Sequence, residues 1–111
     1  MSPGQIVTRQ IKAYNDRDLE GIMALFSDDF KIIRVSDREV LIDGKEACRK
    51  MYEQLFANSP NLFAEVVTRI DFNNKIILLE FIHGRNGNTE KMEQVVIFEI
   101  TNEKIAKLYH R

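Results

Sequence analysis

Seven polar side chains interrupt faces of this chain that are otherwise apolar, and these side chains are the ones best able to do chemistry. They lie at pocket-facing positions of predicted helices and strands: Gln10, Tyr14, Arg34, Tyr52, Glu80, Gln94 and His110. A buried polar group needs a hydrogen-bond partner or a ligand. The seven residues are therefore predicted either to satisfy one another or to line a small-molecule site.

Glu80 is the most informative of them, because it is a carboxylate placed between Leu78 and Ile82 on an aliphatic strand face. Desolvation raises the pKa of such a group unless a cation compensates, and Arg34 or His110 can be that cation. Two interpretations stay open: a catalytic or ligand-contacting carboxylate, or a buried Glu80–Arg34 ion pair that is structural.

The catalytic interpretation assigns a role to each polar residue. Glu80 is the general acid or base, His110 is its partner, and Arg34 stabilises developing negative charge together with Tyr14 or Tyr52. The predicted ligand-binding residues are Gln10, Tyr14, Tyr52 and Gln94. No cofactor is predicted, and no His/Cys cluster has the spacing of a metal site.

Composition limits the partners. The 111 residues are 44% hydrophobic and 30% charged, with 16 basic and 17 acidic side chains and a net charge of -1, which suits one domain spanning 1–111. The charge balance favours neither nucleic acid nor an acidic membrane surface. The single cysteine, Cys48, and an N-terminus without a signal-peptide pattern predict a cytoplasmic protein.

Three helices precede most of the strands. The first begins after the cap Ser2 in a capping box and runs to about Tyr14; the second follows Asp18 and closes at residues 27–29. The third follows a predicted capping box at residues 43–46 and ends at Ser59, before a proline.

The rest of the chain alternates with the period of β-strands. The strand over residues 62–72 is predicted to have one mainly apolar face, which includes Val66, Ile70 and Phe72. Arg85 is assigned to exposed surface near a hairpin tip. The predicted strands cover residues 30–35, 62–72, 76–85, 92–100 and 104–111. This order predicts an α+β fold, a cone-shaped roll whose strongly curved mixed β-sheet wraps around three N-terminal helices.

The late strands are apolar on both faces. Residues Ile77, Leu79, Phe81, Val95 and Ile97 share the face opposite the predicted pocket. Three helices can cover only one face of the sheet, so the other face is predicted to pack against a second subunit, giving a homodimer.

The chain resembles a known family over nearly its whole length. The segments Ala13–Phe30 and Ile42–Ala47, together with the closing hairpin from Phe98 to Leu108, look like the nuclear transport factor 2-like superfamily, in its SnoaL-like and ketosteroid isomerase-like branch. The resemblance implies the cystatin-like cone and a ligand pocket. That fold hosts isomerases, cyclases, dehydratases, hydrolases and non-catalytic binding modules.

The ketosteroid isomerase mechanism uses a tyrosine, an aspartate base and a protonated aspartic acid. In the alignment that the resemblance implies, these groups fall on Gln10, Arg34 and Val96, while the supporting helix-3 tyrosine is matched by Tyr52. The expectation is therefore different acid–base chemistry, of isomerase, lyase or hydrolase type, on a small and mostly apolar substrate. The alternative is a non-catalytic ligand-binding module or dimeric scaffold.

Overall fold

The computed structural model describes residues 1–110; Arg111, the end of the predicted last strand, lies outside them. The elements follow the predicted order, with one additional strand. They are α1 (Pro3–Asn15), α2 (Leu19–Met23), β1 (Phe26–Arg34), β2 (Val40–Asp43), α3 (Lys45–Asn58), β3 (Phe63–Phe72), β4 (Lys75–His83), a 3-10 turn (Arg85–Gly87), β5 (Met92–Thr101) and β6 (Lys104–His110).

The six strands form one curved, open sheet in the order β2-β1-β6-β5-β4-β3. The β1–β6 pair is parallel and every other neighbouring pair is antiparallel. The apolar stripes of α1 and α3 pack on the inner face and form the core with it, including Ile6, Cys48 and Leu78, each 0% exposed. The predicted α+β fold, a curved mixed sheet around three helices, is confirmed.

The start of α1 follows the predicted chemistry. The Ser2 side chain accepts a hydrogen bond from the Gln5 backbone N–H, and the Gln5 side chain accepts one from the Ser2 N–H, which completes a capping box. The equivalent prediction for α3 is wrong. Gly44 occupies its cap position with φ +95° and supplies no side-chain cap.

The second helix is shorter than predicted, because strand pairing takes over its last turn. Phe26 begins β1 and aligns with Ile105 of β6, whose backbone N–H donates to the Leu25 carbonyl at 2.8 Å. The Phe26 ring stacks on Phe30 at 4.2 Å. Residues 27–29, predicted to close the helix, therefore lie within the strand, and β2 is an element that the alternation did not reveal.

The prediction that Val66, Ile70 and Phe72 share one face of β3 is wrong. A β-bulge between Val66 and Thr68 reverses the alternation, so Ile70 is paired with Ile77 and exposed to 53%, and Phe72 is exposed to 64%. One extra residue in a strand moves every later side chain to the other face.

Two further features bear on function. Cys48 is fully buried and burial raises the pKa of its thiol to about 12, which leaves it protonated and inert at neutral pH. Within residues 1–110, every helix is too short or too polar to cross a bilayer.

Candidate functional site

A cavity of about 290 Å³ lies between the inner face of the sheet and helices α1 and α3. Its walls are mostly aliphatic and aromatic, with polar groups from six different elements. Its lining residues are Gln10, Ile11, Tyr14, Ile32, Met51, Tyr52, Leu55, Ala64, Glu80, Ile82, Arg85, Gln94, Val96, Phe98, Leu108 and His110. Six of the seven sequence-predicted site residues are among them.

Glu80 lies in the wall of this cavity and is 6% exposed. Its Oε1 accepts a hydrogen bond from Gln94 Nε2 at 3.0 Å, because the two residues are directly opposite each other on β4 and β5. Burial raises the pKa of the Glu80 carboxyl, and the Gln94 amide and the Arg85 guanidinium oppose the rise only in part.

His110 lines the same cavity from β6, where it lies opposite Val96 of β5. Gln94 and Val96 are two residues apart, so Glu80 and His110 share one face of the sheet but stand two strands apart, roughly 10 Å across the sheet. The register places them at separate parts of one site.

Two tyrosines reach the cavity from the helices. Tyr14 of α1 and Tyr52 of α3 meet edge to face, with ring centroids 6.3 Å apart and an interplanar angle of 87°. Burial raises the pKa of both hydroxyls. The two phenols, neutral at pH 7 even at their ordinary pKa, are hydrogen-bond donors that stay protonated in the cavity.

Arg34, by contrast, does not line the cavity. Its Nη2 bonds the Glu39 carboxylate at 3.0 Å and its Nε lies 3.6 Å from the Asp37 carboxylate. The loop after β1 folds back and brings these two acids to the arginine. Of the two interpretations of Glu80, the structural Glu80–Arg34 ion pair is therefore wrong. Local carboxylates compete better for the guanidinium than one across the core.

Arg85 is the cation at the cavity, although the alternation of β4 predicts it on the surface. Gly84 changes the chain direction with φ +75° and ψ +11°, and this breaks the alternation just before Arg85. The signal in the sequence is the Gly84-Arg85-Asn86-Gly87 segment, whose two glycines and asparagine favour a left-handed turn.

The 3-10 turn that carries Arg85 is anchored to the end of α3. The buried Ser59 hydroxyl accepts a hydrogen bond from the Asn86 backbone N–H at 2.7 Å. Gly84 lies against the Asn61 backbone, because a Cβ added at residue 84 would be only 2.6 Å from the Asn61 carbonyl carbon. Close packing of two backbones therefore sets the position of the guanidinium.

Two donors of this site have no acceptor within the described chain, namely the Tyr14 hydroxyl and the Arg85 Nε–H. The Tyr14 oxygen also lies near the Arg85 guanidinium, which acts to lower the pKa of this hydroxyl. Leaving a buried donor unpaired is unfavourable. Tyr14→Phe removes this unpaired O–H together with the contact to Arg85, so we expect it to change the free energy of unfolding of the ligand-free protein by less than about 1 kcal/mol, measured by urea denaturation.

Tyr52→Phe is the matched control for that substitution. The Tyr52 hydroxyl lies against the Gln10 amide, which acts to lower its pKa, so removing this hydroxyl deletes an interaction and should destabilise the protein. Equal destabilisation by the two substitutions would show that the contact of Tyr14 with Arg85 outweighs the cost of its unpaired O–H.

The arrangement combines a carboxyl group of raised pKa with neutral and charged donors in an apolar cavity. Such a set can move a proton and stabilise negative charge on a bound molecule. Within residues 1–110, no group of three or more His, Cys, Asp or Glu side chains is arranged to hold a metal ion.

Comparisons with known proteins identify the fold and the family. An uncharacterised cystatin fold protein from Novosphingobium aromaticivorans superposes with a TM-score of 0.91 at 20% identity, over 100% of this chain and 98% of that chain. An NTF2-like protein of unknown function from Cytophaga hutchinsonii superposes with a TM-score of 0.81 at 14% identity, over 100% of this chain and 89% of that chain.

A third solved structure was determined with a small molecule. It is a hypothetical protein with a ketosteroid isomerase-like fold from Catenulispora acidiphila, in complex with trimethylamine, with a TM-score of 0.75 at 14% identity, over 100% of this chain and 86% of that chain. No curated protein matches the chain.

The family model of the SnoaL-like domain matches residues 7–108. The chain therefore belongs to the SnoaL-like domain family, as the resemblance in its sequence predicted.

Proposed function

We propose that this protein binds a small, mostly apolar molecule in the cavity and carries out acid–base chemistry on it without a cofactor, with Glu80 as the proton-transferring group. One observation carries the proposal: the Glu80 carboxyl is 6% exposed in a cavity wall, and its hydrogen-bond donor is the neutral amide of Gln94. A carboxyl whose pKa is raised toward the working pH transfers protons most effectively.

In this mechanism a proton moves between Glu80 and the substrate. The protonated carboxyl donates a proton to the substrate, and the ionised carboxylate accepts one while negative charge develops on the substrate. Arg85 and Tyr14 stabilise that charge, which gives Arg85 the role that the sequence predicted for Arg34. The proton then returns at another atom in an isomerisation, or departs with the leaving group in an elimination. In a hydrolysis the proton comes instead from a water molecule, whose oxygen bonds to the substrate while the leaving group departs with the proton. Tyr52, Gln10 and Gln94 position the substrate, and His110 is a second proton-transfer group at the far part of the cavity.

A substrate screen tests the proposal. The wild-type protein and the Glu80→Gln variant are incubated with a library of small ketones, esters, epoxides and β-hydroxy acids, and products are detected by mass spectrometry. We expect turnover by the wild-type protein that the variant lacks. Ligands that bind both proteins equally, with turnover by neither, would favour the alternative of a non-catalytic binding module.

The proposal includes a homodimer formed through the outer face of the sheet, a single domain over residues 1–111 and a cytoplasmic location. Val95 on this face is 47% exposed, and its neighbours Ile77 and Ile97 are half-buried. Cross-strand pairing joins Ile70, Ile77, Ile97 and Tyr109 into one transverse row, mostly of isoleucine.

We expect light scattering at micromolar concentration to give the mass of a dimer, and Val95→Lys to give a monomer, because a lysine at the centre of an apolar interface loses its hydration. Val66→Lys is the control, since Val66 is 37% exposed but lies opposite Glu80 on the inner face. A monomeric wild-type protein would contradict the prediction.

A further inference from the structure

The two unpartnered donors of the cavity differ from its other polar groups. Tyr14 is 7% exposed, and both its hydroxyl and the Arg85 Nε–H are buried without an acceptor in residues 1–110. Glu80 and Gln94, in contrast, bond each other. The protein therefore holds a phenol and a guanidinium ready for an acceptor that it does not itself supply.

The charges of the cavity make the acceptor's chemistry more specific. The titratable groups that line it with Glu80 are Tyr14 of α1, Tyr52 of α3, Arg85 of the 3-10 turn and His110 of β6. Arg85 contributes a guanidinium cation, and the two phenols are neutral at neutral pH, the more so because burial raises their pKa. When Glu80 is protonated, the guanidinium near it has no counterion in the cavity wall.

We propose that the ligand is an organic acid, a compact apolar body with one carboxylate whose oxygens accept hydrogen bonds from Arg85 Nε and Tyr14 Oη. A carboxylate offers four lone-pair sites and a full negative charge, and a guanidinium recognises it better than it recognises an amide or an alcohol. The apolar body fits the 290 Å³ between Met51, Leu55 and Phe98.

This inference uses the cavity of the proposed function and rests on that site, but it makes a separate prediction for binding. A bound carboxylate and an ionised Glu80 repel each other, so the complex favours protonated Glu80. Affinity for an acid is therefore highest at mildly acidic pH, where the ligand is ionised and Glu80 is protonated, and it falls as the pH rises through the pKa of Glu80. Affinity for the corresponding amide has no such dependence.

Fluorescence titration with naphthoate and naphthamide tests the inference. We expect the wild-type protein to prefer the acid by about tenfold or more at mildly acidic pH, the size expected for one charge-assisted hydrogen bond. This preference should decrease toward alkaline pH. Arg85→Met should abolish it, Arg85→Lys should restore it in part, and Arg9→Met, at an exposed arginine of α1, should leave it unchanged.

The Glu80→Gln variant should keep the preference for naphthoate and lose its pH dependence. A pH dependence that persists in Glu80→Gln and disappears in His110→Asn would overturn the assignment to Glu80. Equal affinity for acid and amide, retention of the preference in Arg85→Met, or no binding of naphthoate would overturn the inference.

The outcomes also separate this inference from the proposed function. Turnover that depends on Glu80 without a preference for acids would overturn the inference alone. A preference for acids that depends on Arg85, with no turnover of any library compound, would uphold the inference and overturn the enzymatic proposal.

Discussion

Glu80→Gln is expected to abolish turnover and, at neutral pH, to make the protein more stable. Loss of a general acid or base lowers rates by about 10²–10⁴-fold. The substitution keeps the shape of the side chain and an oxygen that can accept the Gln94 hydrogen bond, so the cavity should retain its form. A residue that limits stability and supports activity is typical of a functional site.

The sign of the stability change follows from the direction of the pKa shift. Burial raises the pKa of Glu80 above the 4.5 of an ordinary glutamate, so the folded protein holds the neutral form more tightly than the unfolded chain does. Its contribution to stability is complete below pH 4.5 and is lost as the pH rises through the folded-state pKa. Glutamine has no proton to lose and avoids this loss.

The gain in the free energy of unfolding should therefore be largest at neutral pH, at about 1.4 kcal/mol for each unit by which the pKa is raised, and should vanish at acidic pH. Urea denaturation at several pH values measures it. Glu99→Gln is the matched control, because Glu99 lies between Lys75 at 3.7 Å and Lys107 at 3.8 Å on the outer face of the same sheet.

The control Glu99→Gln should change the free energy of unfolding in the opposite direction, with a loss of up to about 1 kcal/mol at neutral pH. Destabilisation of the Glu80→Gln protein at neutral pH would mean that the ionised carboxylate is favourably paired. Glu80 would then be a structural group.

Gly84→Ala is expected to be the most damaging small substitution near the site. The residue has φ +75°, and a Cβ there would collide with the Asn61 carbonyl oxygen and lie 3.1 Å from the Leu62 nitrogen. Both neighbours are backbone, so the chain itself must move. We expect a loss of about 2–4 kcal/mol in the free energy of unfolding.

The same substitution should displace the turn that carries Arg85, and with it weaken the binding of any ligand held there. Gly87→Ala is a close control, because Gly87 has the same φ of +75° and open space where its Cβ would lie. That variant should lose only about 1 kcal/mol. Equal losses would show that conformational strain, and not contact with Asn61, determines the cost at Gly84.

How far the sequence predicts this protein depends on the range of the interaction involved. Capping residues and hydrophobic periodicity were sufficient to predict three features correctly. These are α1 with its Ser2 capping box, the end of α3 before Pro60, and the buried face of β4 that carries Glu80. These features depend on hydrogen bonds and side-chain directions within a few residues, which the sequence displays directly.

The errors arise where distant segments compete with local pattern. The hydrophobic periodicity predicts Phe26 in the second helix, but its pairing with Ile105 of β6 places it in a strand. The bulge after Val66 needs β4 as its partner, and no alternation reveals it. Both are decided by backbone hydrogen bonds between segments far apart in the chain.

The candidate site shows the same division. The sequence alone determined the family, the curved sheet over three helices, and six of the polar residues that converge on the cavity, because inward-facing exceptions on apolar faces must meet in the core. Only the tertiary structure decided which cation joins them. The loop acids Asp37 and Glu39 hold Arg34 outside, while the contact of Gly84 with Asn61 turns Arg85 inward, and no periodicity in the chain records either contact.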